Sequence, residues 1–168
     1  YLAAFNISAD GETLSEININ NSSRWRFESG DYNQGNWVQV DTNTFALAFH
    51  DYGNGGYIST FDISADGTTV SERKDRWRFS SSTSTWDGLY NSFVKLSATI
   101  YVIAYQDASN RGVITTFTIS NDGTTITSKD TEFLEGSGTN SYMTYNSLVK
   151  VDDNTLAVAY GGASGGAE

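Results

Sequence analysis

Ile7-Ser8-Ala9-Asp10-Gly11, Ile63-Ser64-Ala65-Asp66-Gly67 and Ile119-Ser120-Asn121-Asp122-Gly123 are one phrase written three times, at intervals of 56 residues. Three such periods account for all 168 residues. Asp-Gly tolerates positive φ at low steric cost and favours a tight hairpin, so each phrase predicts a strand that ends in a turn. The residues leading in agree: Phe5, Phe61 and Phe117 fall in register, as do Ile7, Ile63 and Ile119. A repeat of this length, rich in aromatic and β-branched side chains, predicts one small antiparallel sheet per period.

Upstream of the second and third phrases the pattern continues. Thr44-Phe45-Ala46-Leu47-Ala48-Phe49 aligns with Ile100-Tyr101-Val102-Ile103-Ala104-Tyr105 and with Thr155-Leu156-Ala157-Val158-Ala159-Tyr160. Alternation with period two is a strand signal. One face carries large side chains and the other small ones, which suits sheets stacked knob into hollow. A short apolar strand precedes each: Trp37-Val38-Gln39-Val40, Phe93-Val94-Lys95-Leu96 and Leu148-Val149-Lys150-Val151. Turn residues such as Asp41-Thr42-Asn43 and Asp152-Asp153-Asn154 join the two. A fourth strand is expected after each Asp-Gly turn, over 13–19, 69–79 and 125–133. There the repeat drifts, because Trp25-Arg26-Phe27 and Trp77-Arg78-Phe79 are 52 residues apart. No stretch has a helical period.

Four antiparallel strands per repeat, in up-and-down order, resemble a blade of the β-propeller repeat superfamily, and the resemblance covers the whole chain. It implies an all-β propeller of four-stranded antiparallel blades, with three blade-equivalents per chain. Residues 1–27 would form an outer half-blade, 28–79 and 80–134 two full blades with their preceding loops, and 135–168 an inner half-blade. Propellers close with about four to eight blades. Three blade-equivalents are therefore expected to form a six-bladed ring by C2 homodimerisation, with composite blades at the joins. The alternative is a stretch of a longer tandem array. Residues 64–69 resemble the Asp-box of sialidase-like propellers, but lack the residue between Asp and Gly and the aromatic after Thr. No catalytic residue is carried over.

Composition removes several function classes. The formal net charge is −10, from 20 acidic and 10 basic residues, with no basic stripe to release counterions. Nucleic acid is not an expected partner. Without cysteine there is no disulfide framework, thiolate zinc site or cysteine nucleophile. No apolar run reaches about 18 residues, so no helical membrane span is expected. No cofactor is implied. A secreted or surface setting fits, and no compartment is assigned.

In a propeller the loops 28–36, 80–92 and 135–147 share one face with the loops 50–56, 106–112 and 161–168. They hold His50, Tyr142 and all of the aromatic candidates. Flat aromatics stack on the apolar face of a sugar while amides and carboxylates bond its hydroxyls. The candidate ligand-binding set is Trp86, Tyr90, Asn91, Tyr145, Asn146, Tyr32, Tyr52, Asp51 and Asp107. Tyr90-Asn91-Ser92 and Tyr145-Asn146-Ser147 stand at the same offset in their repeats. The plainer role for these tyrosines is to wedge between blades, and for Trp25 and Trp77, beside Arg, to pack. A lone His50 makes no zinc site. The loops opened by Asp51 and Asp107 resemble calcium loops of integrin-type blades but offer too few alternating oxygens. The expected function is a non-catalytic recognition module that binds carbohydrate. The alternatives are a glycan-directed hydrolase with a central carboxylate pair drawn from Asp31, Asp51, Asp87, Asp107 and Glu135, and a protein-interaction scaffold without a small ligand.

Overall fold

The computed structural model describes residues 1–26, 32–71, 73–134 and 143–161, with backbone alone at Tyr32, Asn33 and Tyr145. Every regular element among the described residues is a β-strand. β1 (Ala4–Ile7) pairs with β2 (Leu14–Ile17). β3 (Tyr32–Gln39), β4 (Thr44–Asp51), β5 (Gly55–Asp62) and β6 (Asp75–Arg78) make a four-stranded sheet in sequence order. β7 (Leu89–Lys95), β8 (Ile100–Gln106), β9 (Gly112–Ile119) and β10 (Ile126–Phe133) make a second. β11 (Thr144–Lys150) pairs with β12 (Leu156–Gly161). All pairings are antiparallel, and none of the four sheets closes on itself.

The repeat is a repeat of register as well as of sequence. Ala46 faces Thr60 in the first four-stranded sheet, and Val102 faces Thr116 in the second. The drift in the outer strand is absorbed before Trp25, because Trp25 bridges Leu2 just as Trp77 pairs with Ile58, its equivalent one repeat on. Each Ser-x-Asp-Gly phrase folds alike. The serine hydroxyl donates to the aspartate carboxylate at 2.5 Å for Ser8–Asp10 and 2.6 Å for Ser64–Asp66 and Ser120–Asp122. The glycine N–H donates to the serine carbonyl, with φ between +71° and +76°. These hydroxyl bonds first, and backbone N–H bonds second, hold Asp10, Asp66 and Asp122 below the usual carboxylate range. The phrase that marks the repeat is a turn device at the end opposite the long loops, with Asp10, Asp66 and Asp122 exposed and Gly123 buried against Thr60 of the neighbouring sheet.

The sheets stack as the alternating faces predict. Ala46, Ala48 and Ile58 pack against Tyr101, Ile103, Tyr105 and Phe117 of the next sheet. Val102 and Ala104 meet Leu148, Leu156 and Val158 in turn. Trp25 stands edge-on to Phe61 at 5.5 Å, and Trp77 meets Phe117 at 5.3 Å, so one aromatic joint is made twice. The inner strands gather: β3 lies beside β7 and β7 beside β11, whereas outer β6 and β10 barely touch. Side chains staple these inner strands. Asn36 Nδ2 donates to the Asn91 carbonyl at 2.7 Å, and Leu148 N donates to Ser92 Oγ at 2.9 Å, again one repeat on.

The inner strands begin earlier than the apolar pattern alone indicates. Tyr32, Tyr90, Asn91, Tyr145 and Asn146, expected in loops, lie in β3, β7 and β11. A β-bulge interrupts each strand there. In two of them the residue at the same repeat position, Gln34 (φ +59°) and Tyr90 (φ +50°), is left-handed. The bulge breaks alternation, which is why period two is lost at these positions.

Candidate functional site

Among the described residues of the loop face, the segment 80–88 folds over the ends of β4 and β8. Residues 80–88 form a tight loop whose centre is Asp87, fully buried. Its Oδ2 accepts from Ser82 N at 2.6 Å and from Ser81 Oγ at 3.2 Å. Ser80 Oγ accepts from Gly56 N at 2.9 Å, and Gly88 N donates to the Gln106 carbonyl at 2.8 Å. The loop is cinched from inside, and Trp86, next to its buried clasp, is left 61% exposed. The indole thus presents a broad apolar face to solvent at the edge of the loop.

Trp86 and Tyr90 wall a pocket of about 300 Å³ together with Gln106, Asn110 and Thr144. Gln106 is 3% exposed; its Nε2 bonds Asn110 Oδ1, and its Oε1 is buried with no partner among the described residues. A buried acceptor without a donor costs about 1–3 kcal/mol. Asn110 is itself left-handed, at φ +66°. The arrangement is two aromatic walls over an amide floor. A second, amide-rich cup of about 430 Å³ lies where the inner strands converge, lined by Gln34, Gly35, Asn36, Tyr90, Asn91 and Asn146. Tyr90 belongs to both. Both amide atoms of Asn146 are buried there with no partner among the described residues.

The other candidates divide. Asn91 is buried and bonded, accepting from Asn36 and donating to the Gly88 carbonyl at 3.3 Å, so it ties the two four-stranded sheets together. Asp51 is held by Arg76 Nη2 at 2.8 Å, and the Arg76 guanidinium lies 3.8 Å over the Tyr57 ring. Asp107 closes its own turn through Ser109 N and Arg111 N and is paired to Arg111 at 2.7 Å. Tyr52 is exposed at a turn away from both cavities. The side chains of Tyr32 and Tyr145, and Asp31, Glu135 and Tyr142 entirely, lie outside the described residues. No group of three potential metal ligands occurs among the described residues. Gln34, Gln106, Asn110 and Thr144 escaped the sequence reading. The available signal was the repeat itself, since Gln34 occupies the position of Tyr90 and Gln106 that of His50.

His50 is 0% exposed at the end of β4, and neither ring nitrogen has a hydrogen-bond partner among the described residues. Burial holds its pKa below the ordinary histidine value, against the opposing pull of Asp51, the Thr85 backbone and Asp87. The folded protein therefore refuses a proton that the unfolded chain accepts below about pH 6.5. The penalty is absent above that pH and grows as pH falls towards the folded value, by at most about 1.4 kcal/mol per unit. His50→Gln, the residue its repeat partner carries, is expected to flatten this slope between pH 7.5 and 5.5 in urea unfolding. An unchanged slope would assign the acid sensitivity to the carboxylates.

Compared with known proteins, the chain matches no family model and no curated sequence.

Proposed function

We propose that the stacked sheets are an arc of a β-propeller and that the long-loop face is a non-catalytic recognition surface for carbohydrate. The observation that carries this is the pairing of Trp86 and Tyr90 over the amides of Gln106 and Asn110 in one pocket. Rings bind the apolar face of a pyranose, and a buried carbonyl oxygen lacking a donor accepts from a hydroxyl. The strained backbone at Tyr90 adds support, because a bulky residue at positive φ is held there only by its surroundings. The hydrolase alternative is less well supported: Asp51 and Asp107 are each ion-paired to an arginine, and Asp87, whose Oδ1 has no partner among the described residues, is fully buried beneath its loop.

A glycan array tests this directly. Binding to a subset of sugars is expected, weakened about tenfold or more by Trp86→Ala, on the scale of losing one aromatic anchor. Tyr52→Ala, outside the pocket, should leave it unchanged. Silence across the array, with the fold intact, favours a protein-interaction scaffold instead.

A further inference from the structure

We infer that the loop face takes a neutral oligosaccharide of at least two units, one ring held by Trp86 and Tyr90 and the next hydrogen-bonded in the amide cup at the inner strands. The inference rests on the carbohydrate reading and extends it from one pocket to two subsites that share a wall. Tyr90 is that wall, because it lines both the pocket of about 300 Å³ and the cup of about 430 Å³. The backbone fixes its place: the β-bulge between Leu89 and Ser92 holds it at φ +50°. Both volumes fall in the lower part of the usual range for small-molecule sites, about 300–1,000 Å³. Each therefore suits a short piece of a ligand, and the shared ring lets one ligand reach both.

The two subsites ask for different chemistry. Trp86 and Tyr90 offer ring faces, which take the apolar face of a sugar. The cup offers amides. Asn146 lines it from β11, with Nδ2 and Oδ1 both buried and unpartnered among the described residues. Its repeat equivalent Asn91 is satisfied: Nδ2 donates to the Gly88 carbonyl, and Oδ1 accepts from Asn36. The same amide is thus spent on the fold in one repeat and left idle in the next. An asparagine amide carries two donors beside one acceptor, and adjacent ring hydroxyls, one accepting and one donating, match it. The terminal torsion of asparagine is broad, so a small turn brings the amide to the ligand. Pairing there relieves the cost of a buried amide without partners. Among the described residues, none that lines either cavity carries a charge. The chain as a whole stands at −10. Nothing in the site compensates an acidic sugar, and the surrounding field repels one.

Calorimetric titration with short ladders of glucose, mannose or galactose units tests the second subsite. In the ladder that binds, affinity is expected to rise about tenfold or more between one unit and two. The uronic acid ladder of the same linkage should bind about tenfold more weakly than the neutral one. Asn146→Leu, close in size and apolar, should cut affinity for two units about tenfold, to the level of one. The same substitution should raise the urea midpoint, because it removes an amide that the fold leaves unmet. A merely structural asparagine would lower that midpoint instead. Gln34→Gly suits the left-handed backbone at φ +59° and takes a second amide from the cup. It should shrink the same step, and it serves should Asn146→Leu fail to fold. Equal affinity for one unit and for longer chains, with binding still lost in Trp86→Ala, would overturn the second subsite and leave the first standing. A uronic acid ladder that binds as tightly as the neutral one would overturn the preference for uncharged sugars. Silence from every ladder, with the fold intact, would overturn both this inference and the carbohydrate reading beneath it.

Discussion

Gly88→Ala is expected to destabilise the chain by about 3–5 kcal/mol. Gly88 has φ +90°, which already disfavours a side chain. The greater part of the cost is steric. A Cβ there would lie 2.5 Å from Gly56 Cα and 2.6 Å from Gly56 N, both backbone atoms of a paired strand. Gly56 cannot withdraw, because its N–H is bonded to Ser80 and its own vacant side is filled by the Phe79 ring. The two glycines let the 80–88 loop sit directly on β5, and that contact positions Trp86. Gly53→Ala supplies the control. Gly53 has φ +81° with nothing within 4 Å of the added carbon, so it should cost only the conformational strain, about 1 kcal/mol. Urea midpoints of the two variants separate the contributions, and equal losses would mean that the close approach contributes nothing.

The fold was legible where the chain obeys its own period. Phe5, Phe61 and Phe117 named the third strand, and the alternation at residues 44–49 named both the second strand and the way sheets stack, since both follow from side-chain spacing alone. The site was legible only in part. Trp86 and Tyr90 stood out as aromatics in polar surroundings. Their floor did not, because Gln106 reads as a loop polar residue yet ends buried at the tip of β8, and the same holds outside the pocket for His50 at the end of β4 and Asp107 just past β8. What buries them is remote in sequence: the 80–88 loop covers His50, and Arg76 reaches Asp51 across 25 residues. The bulges at Gln34 and Tyr90 were equally hidden, since no propensity places a glutamine or tyrosine at positive φ. Tertiary packing decides such positions, and a sequence pattern records only its own local period.

The three phenylalanines of the repeat offer the other large effect, and the sharper one. Phe61 and Phe117 are fully buried, each against the tryptophan of the preceding outer strand, and Phe117 also meets Phe93 at 5.6 Å and Tyr101 at 5.9 Å. Phe117→Ala and Phe61→Ala should each cost about 3–5 kcal/mol, the usual range for a core phenylalanine truncated in a rigid site. The cavity cannot easily collapse, because its walls are strands fixed by pairing on both sides. Phe5 occupies the same repeat position, two residues before the same isoleucine, yet its ring is open to water. Phe5→Ala should therefore change the stability of the monomeric chain by no more than about 0.5 kcal/mol. The comparison holds side chain and repeat position constant and varies what lies across from and beside the ring, since β1 has one paired neighbour among the described residues where β5 and β9 have two. If all three substitutions cost alike in the dissociated chain, then local strand formation, and not stacking of sheet on sheet, holds the repeats together. If they divide as the burial does, each sheet owes its stability to the face presented by its neighbour.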